Sequence, residues 1–219
     1  MGGRGNEIRT GDQSALLGGR DNKISGSYSS LLGGSGNFIL ADEAVILGGE
    51  DNVVDNAVAS AVVVGKNNNL KNSDSSVINA GNQNSGVDST GSVIAAGSFN
   101  YITGSKNSLI DAGTGNRAII STGSAIIAGD QNLLSGSKDS SVSAGTYNSI
   151  SGSNDSSINA GLRNDVKNSV DGAIVAGKIN LLSGSSDSSI SAGTENSIRA
   201  SEDSAVVAGT ENSLSGSVD

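Results

Sequence analysis

A glycine recurs at Gly3, Gly19, Gly34, Gly49 and Gly65, then every sixteen residues to Gly209. Three places after each glycine stands an asparagine: Asn6, Asn22, Asn37, Asn52, Asn68, Asn84, Asn100, Asn116, Asn132, Asn148, Asn164, Asn180, Asn196 and Asn212. A pattern without a gap over the whole chain makes the repeat the first constraint on the fold.

Two aliphatic columns run with it. One lies two places after the asparagine, at Ile8, Ile24, Ile39, Val54, Leu70, Ile102, Leu134, Ile150, Val166, Leu182, Ile198 and Leu214, with Gly86 and Ala118 as exceptions. The other lies three places before the glycine and runs without exception from Leu16 to Val206. Serine usually stands two places before this second column, as at Ser124 and Ser140. Each unit is thus two half-units reading polar, any, aliphatic, any, small, small, any, any. The period inside a half-unit is two, the strand period. Glycine, serine, asparagine and aspartate supply the turns. Apolar spacing of eight, with so much glycine and so many β-branched residues, excludes a helix.

The expected fold is all-β, a single parallel β-solenoid over residues 1–219 with no linker and no evident cap. It is a two-sided β-roll of about 13–14 coils of 16 residues, spaced about 4.8 Å apart, with two short strands per coil. The half-unit pattern suggests strands of about five residues joined by turns of about three. Two aliphatics per coil make a thin interior, so ladder hydrogen bonds and close stacking must supply much of the stability, and no coil folds alone. The asparagine column reads as an inward ladder, bonding turn backbone in its own coil and amides in the next.

Outward residues on the second strand include Leu17, Leu32, Leu47, Val63, Ile127, Val175 and Val207, an apolar stripe that suggests a lateral partner surface. Ser141 with Ser143, Ser157 with Asn159, and Ser189 with Ser191 interrupt it. The first strand's outer face is more polar, with Lys23, Asp55, Lys71, Arg117, Asp165, Lys167 and Arg199. The repeat runs to both ends of the chain, and bare solenoid ends are sheet edges that can template another chain. Four basic and three acidic residues lie in the first 25, against one basic and five acidic in the last 25. Head-to-tail stacking into a filament, or an excerpt from a longer fibre, is expected from this.

A net charge of −9 argues against nucleic acid and anionic membrane surfaces. No apolar run approaches a membrane span. Without cysteine there are no disulfides or thiol sites, and without histidine no nucleophilic triad of the usual kind. Acidic pairs such as Asp42 with Glu43 read as solvated turn residues. No metal site or cofactor is expected, since the glycine-rich turns lack the recurring aspartate of calcium-binding rolls. Ice binding would want a rank of threonines, and those present are few and mostly in turns. Phe38, Phe99, Tyr101 and Tyr147 are too sparse to line a sugar groove, though a small adhesive patch is compatible with them. The opening "MGGRGNEIRT" lacks the apolar middle of a secretory signal. Either the protein is not exported by that route or the chain begins after the signal.

The phrases "SAVVAGTEN", "SAIIAGDQN" and "SVIAAGSFN" resemble the head repeats of YadA-type trimeric autotransporter adhesins. Similar repeats occur in phage and viral fibre proteins. The resemblance implies a left-handed parallel β-roll, trimerisation, and an adhesive role at a cell surface or virion, with a host surface receptor as partner. This chain has a longer repeat, carries asparagine where the family has serine, and lacks the family's coiled-coil stalk and anchor segments. A complete autotransporter is therefore not expected. The leading reading is a non-enzymatic structural protein that self-associates, head to tail or laterally, into an extracellular fibre. The alternative is the adhesive or receptor-binding head or shaft of a trimeric surface or virion fibre.

Overall fold

The computed structural model describes residues 2–216. The chain is an all-β parallel β-solenoid of about 13 turns, with about 16 residues per turn and two short strands per coil. No helix occurs among the described residues. The chain divides into two compact units, Met1–Asn107 and Ser108–Asp219.

In Met1–Asn107, first strands stack on first strands and second strands on second strands. Val53, Val54 and Asp55 pair with Asn69, Leu70 and Lys71, and Ala61 and Val62 with Val77 and Ile78. Ser108–Asp219 repeats the scheme: Leu133, Leu134 and Ser135 pair with Ser149, Ile150 and Ser151, and Ser141 and Val142 with Ser157 and Ile158. Every pairing is parallel, and like residues stack on like. The two aliphatic columns meet between the sheets. Ile24, Leu31, Ile39 and Ile46 in one unit, and Leu134, Val142, Ile150 and Ile158 in the other, are fully buried.

The strands are shorter than the half-unit pattern suggests. First strands such as Leu133–Ser135 hold three residues, and second strands such as Ser141–Val142 hold two. The cause is backbone handedness at the corners. In the coil beginning at Gly129, residues Gly129, Gln131, Gly136 and Asp139 all have positive φ and turn the chain at the ends of the short strands, while the amides of Gln131, Gly136 and Asp139 still donate to the carbonyls of Thr114, Ile119 and Thr122 of the preceding coil. The early spacings of fifteen come from the corner between first and second strand. There Tyr28 and Glu43 are each the one positive-φ residue, where a sixteen-residue coil uses two, such as Asn56 and Ala59.

Glycine is obligatory at the repeat's own glycine. Gly145 has φ +97, and a Cβ on it would lie inside the Gly161 carbonyl of the following coil. That leaves backbone stacked on backbone, with no side chain between coils at this corner.

Candidate functional site

Three surfaces or columns carry this chain's chemistry: the internal polar ladders, the outer face of the second strands, and the corners. The asparagines lie just before each first strand, pointing inward. Asn148 shows the full set. Its main-chain amide donates to Asn132 Oδ1 at 3.0 Å. Its Nδ2 donates to the Ala144 carbonyl of its own coil at 3.0 Å and to the Gly161 carbonyl of the next at 3.1 Å. Its Oδ1 accepts the Asn164 amide at 3.0 Å. Every polar atom of the side chain is engaged, so this column has no capacity left for a ligand. The columns from Asn22 to Asn100 and from Asn116 to Asn196 are buried; Asn6 is half-buried and Asn212 exposed.

Serine forms a second ladder. Ser140 donates to the Lys138 carbonyl at 2.9 Å and accepts the Ser156 amide at 3.2 Å. A third ladder escaped the reading of the repeat. Ser73, Ser89 and Ser105 in one unit, and Ser121, Ser137, Ser153, Ser169, Ser185 and Ser201 in the other, are buried at the corner after the first strand. Ser153 donates to the Ser151 carbonyl at 3.1 Å, and its oxygen accepts the Ser169 amide at 3.2 Å. Its signal was in the sequence, a serine at unbroken sixteen-residue spacing, but treating that position as merely small concealed it.

The outer face of the second strands carries a column of apolar residues. Leu17, Leu32, Leu47, Ile127, Val175 and Val207 are exposed, and Val63 is half-buried. In Met1–Asn107 the first four of this column lie on consecutive coils. Leu32 donates its amide to the Ile46 carbonyl at 3.1 Å, and Leu47 to that of Val62 at 3.3 Å. In Ser108–Asp219, Ser143, Asn159 and Ser191 separate Ile127, Val175 and Val207, so apolar side chains stand singly there.

The first-strand face is charged. Lys71 pairs with Asp55 of the preceding coil at 3.9 Å, and Lys167 pairs with Asp165 along its own strand. At the corners Lys66 meets Glu50 at 3.0 Å. The lysines are exposed and the partner carboxylates exposed or half-buried, so each pair is worth little individually. A shallow depression in Met1–Asn107 is lined by Arg9, Asp21, Lys23, Gly36, Asn37 and Phe38; Arg9 is already held by Glu7 at 3.0 Å. Among the described residues no three acidic side chains converge to hold a metal ion. Three buried side-chain atoms, Asn82 Oδ1, Asp165 Oδ1 and Ser197 Oγ, lack a hydrogen-bond partner. They are spread over three coils and form no common site.

No protein-family model and no curated protein sequence matches the chain. Among solved structures, it is similar to a protein from Desulfovibrio desulfuricans G20 provisionally named an acetyltransferase, at 9% identity and a TM-score of 0.20. The match covers 89% of this chain and 64% of that one, less than two thirds of its length. It is also similar to the Arabidopsis UDP-N-acetylglucosamine acyltransferase, at 14% identity and a TM-score of 0.23, over 95% of this chain and 70% of that one. At such scores neither brings its chemistry to this chain. The expectation of a non-enzymatic chain is nevertheless corrected, because the structures it is matched with are named as enzymes. The physical reason is general. A stack of coils is a scaffold, and catalysis depends on side chains placed on it, not on the coil's own composition.

Proposed function

We propose that the solenoid is a scaffold that associates side by side with further copies of itself through the outer face of its second strands. The observation that carries this reading is the run Leu17, Leu32 and Leu47, exposed on consecutive coils of a parallel sheet. Exposed apolar side chains in a contiguous row mark partner surfaces in water-soluble proteins. A second copy offers the same row at the same spacing of about 4.8 Å, so side chains of one row fit between those of the other. The first-strand face is the poorer candidate, because Lys71, Asp55, Lys167 and Asp165 would have to be desolvated. Three leucines fall well short of the roughly 800 Å² per partner of a standard interface. Association is therefore weak and rises with concentration.

Sedimentation velocity over a concentration series tests this. The unaltered protein should shift to larger species as concentration rises, and Leu32→Glu with Leu47→Glu should remain monomeric. Both leucines are exposed, so the double variant keeps its fold. A monomer at every concentration, or a double variant that associates like the parent, would refute the reading.

A further inference from the structure

Within Ser108–Asp219, the residue just before each ladder asparagine sits at a corner with positive φ. In chain order these are Gly115, Gln131, Tyr147, Arg163, Ile179, Glu195 and Glu211. Left-handed backbone suits glycine and, less well, short polar residues; bulky and β-branched residues adopt it rarely. Three consecutive coils nevertheless place Tyr147, Arg163 and Ile179 there, with φ of 58°, 56° and 57°. Tyr147 is 47% exposed and Ile179 39% exposed, so burial repays only part of the strain. The Arg163 guanidinium lies over the Tyr147 ring, 5.7 Å from its centroid. An exposed cation–π pair is worth less than the strain of two bulky left-handed corners. Such strain also occurs singly, as at Phe99 and Ile120; on three consecutive coils it displays these side chains together, which points to a use for them.

The corner is rigid. The amides of Tyr147, Arg163 and Ile179 donate to the carbonyls of Asp130, Thr146 and Leu162 at 2.9–3.0 Å. Lys178 stands beside Ile179, and neither it nor Arg163 enters an ion pair among the described residues. The patch thus combines a half-exposed aromatic ring, an apolar neighbour and two cations outside any ion pair among the described residues, with Glu195 at the same corner of the following coil.

We infer that Tyr147, Arg163 and Ile179 form a binding patch for an acidic polysaccharide, one whose sugar rings bear carboxylates. The apolar face of a pyranose lies on Ile179 and against the part of the Tyr147 ring that Arg163 leaves exposed. The planar guanidinium takes the carboxylate through two parallel N–H donors. Lys178 adds a second cation for the next sugar along the corner. A protein partner would need a far larger area than three corners offer. A nucleic acid would need more than one stacking ring. This inference does not depend on side-by-side association.

Affinity electrophoresis through gels containing alginate tests it, with dextran gels and a single-stranded oligonucleotide as comparisons. The unaltered protein should be retarded by alginate and not by dextran. Arg163→Gln, Tyr147→Gly and Ile179→Gly should each weaken retardation at least tenfold. Arg117→Gln, an exposed cation elsewhere in the same unit, should leave it unchanged. Tyr147→Gly should keep or raise Tm while losing binding, whereas a merely structural role would lower Tm. The inference is overturned by absent retardation, by equal retardation in dextran, by preferential binding of the oligonucleotide, by an Arg117→Gln effect as large as that of Arg163→Gln, or by a fall in Tm with Tyr147→Gly.

Discussion

Asn132 Oδ1 accepts the main-chain amide of Asn148 at 3.0 Å, one coil further on. A side chain therefore does at the coil corner what a backbone carbonyl does in the strands. Replacing Asn148 by alanine leaves the Asn164 amide and the Ala144 and Gly161 carbonyls without these partners. Buried groups stripped of partners cost about 1–3 kcal/mol each, partly recovered by relaxation. Asn148→Ala should therefore destabilise the fold by about 3 kcal/mol, measured by urea denaturation. Asn154→Ala, at an exposed corner of the same unit, should stay within about 0.5 kcal/mol of the parent.

Gly145 tolerates no side chain, for the positive φ and backbone contact already described. Gly145→Ala should cost at least about 3 kcal/mol. Because coils depend on their neighbours, the damage should also be local. Hydrogen exchange should rise first around residues 145–161 and only later in distant coils. Uniform loss of protection would argue against nearest-neighbour cooperativity.

Gly172 interrupts the serine ladder between Ser156 and Ser188. Its amide donates to Ser156 Oγ at 3.2 Å, but it returns no hydroxyl. A Cβ there would meet Leu182 Cδ2 and the Ser169 Cβ at 3.3 Å, so a small movement of Leu182 makes room. Gly172→Ser should add the missing rung and reduce the freedom of the unfolded chain, a gain of about 1 kcal/mol. Thermal unfolding should show Tm higher by about 2–4 °C. A lower Tm would mean that Leu182 cannot move.

Ile120 is held at φ 49° and is 70% exposed. Gly136, Gly152 and Gly184 occupy the same corner in later coils with φ near 60°. Ile120→Gly should relieve backbone strain and lose little burial, stabilising the unit by about 0.5–1 kcal/mol after the entropy cost of glycine. Differential scanning calorimetry reads the sign directly.

The architecture was legible because every stacking contact joins residues one repeat apart, so glycine, asparagine and both aliphatic columns recur at the period of the coil. Strand length was not, because it depends on which corner residues turn left-handed. That corner accepts Gln131, Tyr147, Arg163, Ile179 and Glu195 in successive coils, and no residue type recurs to mark it. For the same reason Tyr147 read as an isolated aromatic, and its relation to Arg163 emerged only when the coils were stacked. The outer apolar row was legible from parity alone, since Leu32 and Leu47 stand one place beyond the buried Leu31 and Ile46. Gly86 and Ala118 break the core column without breaking the fold. A Cβ at Gly86 would lie 2.8 Å from Leu70 Cδ2, so the preceding leucine leans into the space the glycine leaves.

Because Gly145 stacks on Gly161 as Gly129 stacks on Gly145, excising residues 145–160 would bring Ala144 to Gly161 with each remaining group facing a partner of the same kind. Unequal recombination between repeats could thus lengthen or shorten such a gene by whole coils while every junction stays native-like. Coil number in this architecture is a variable that selection can adjust separately from the chemistry of any one coil.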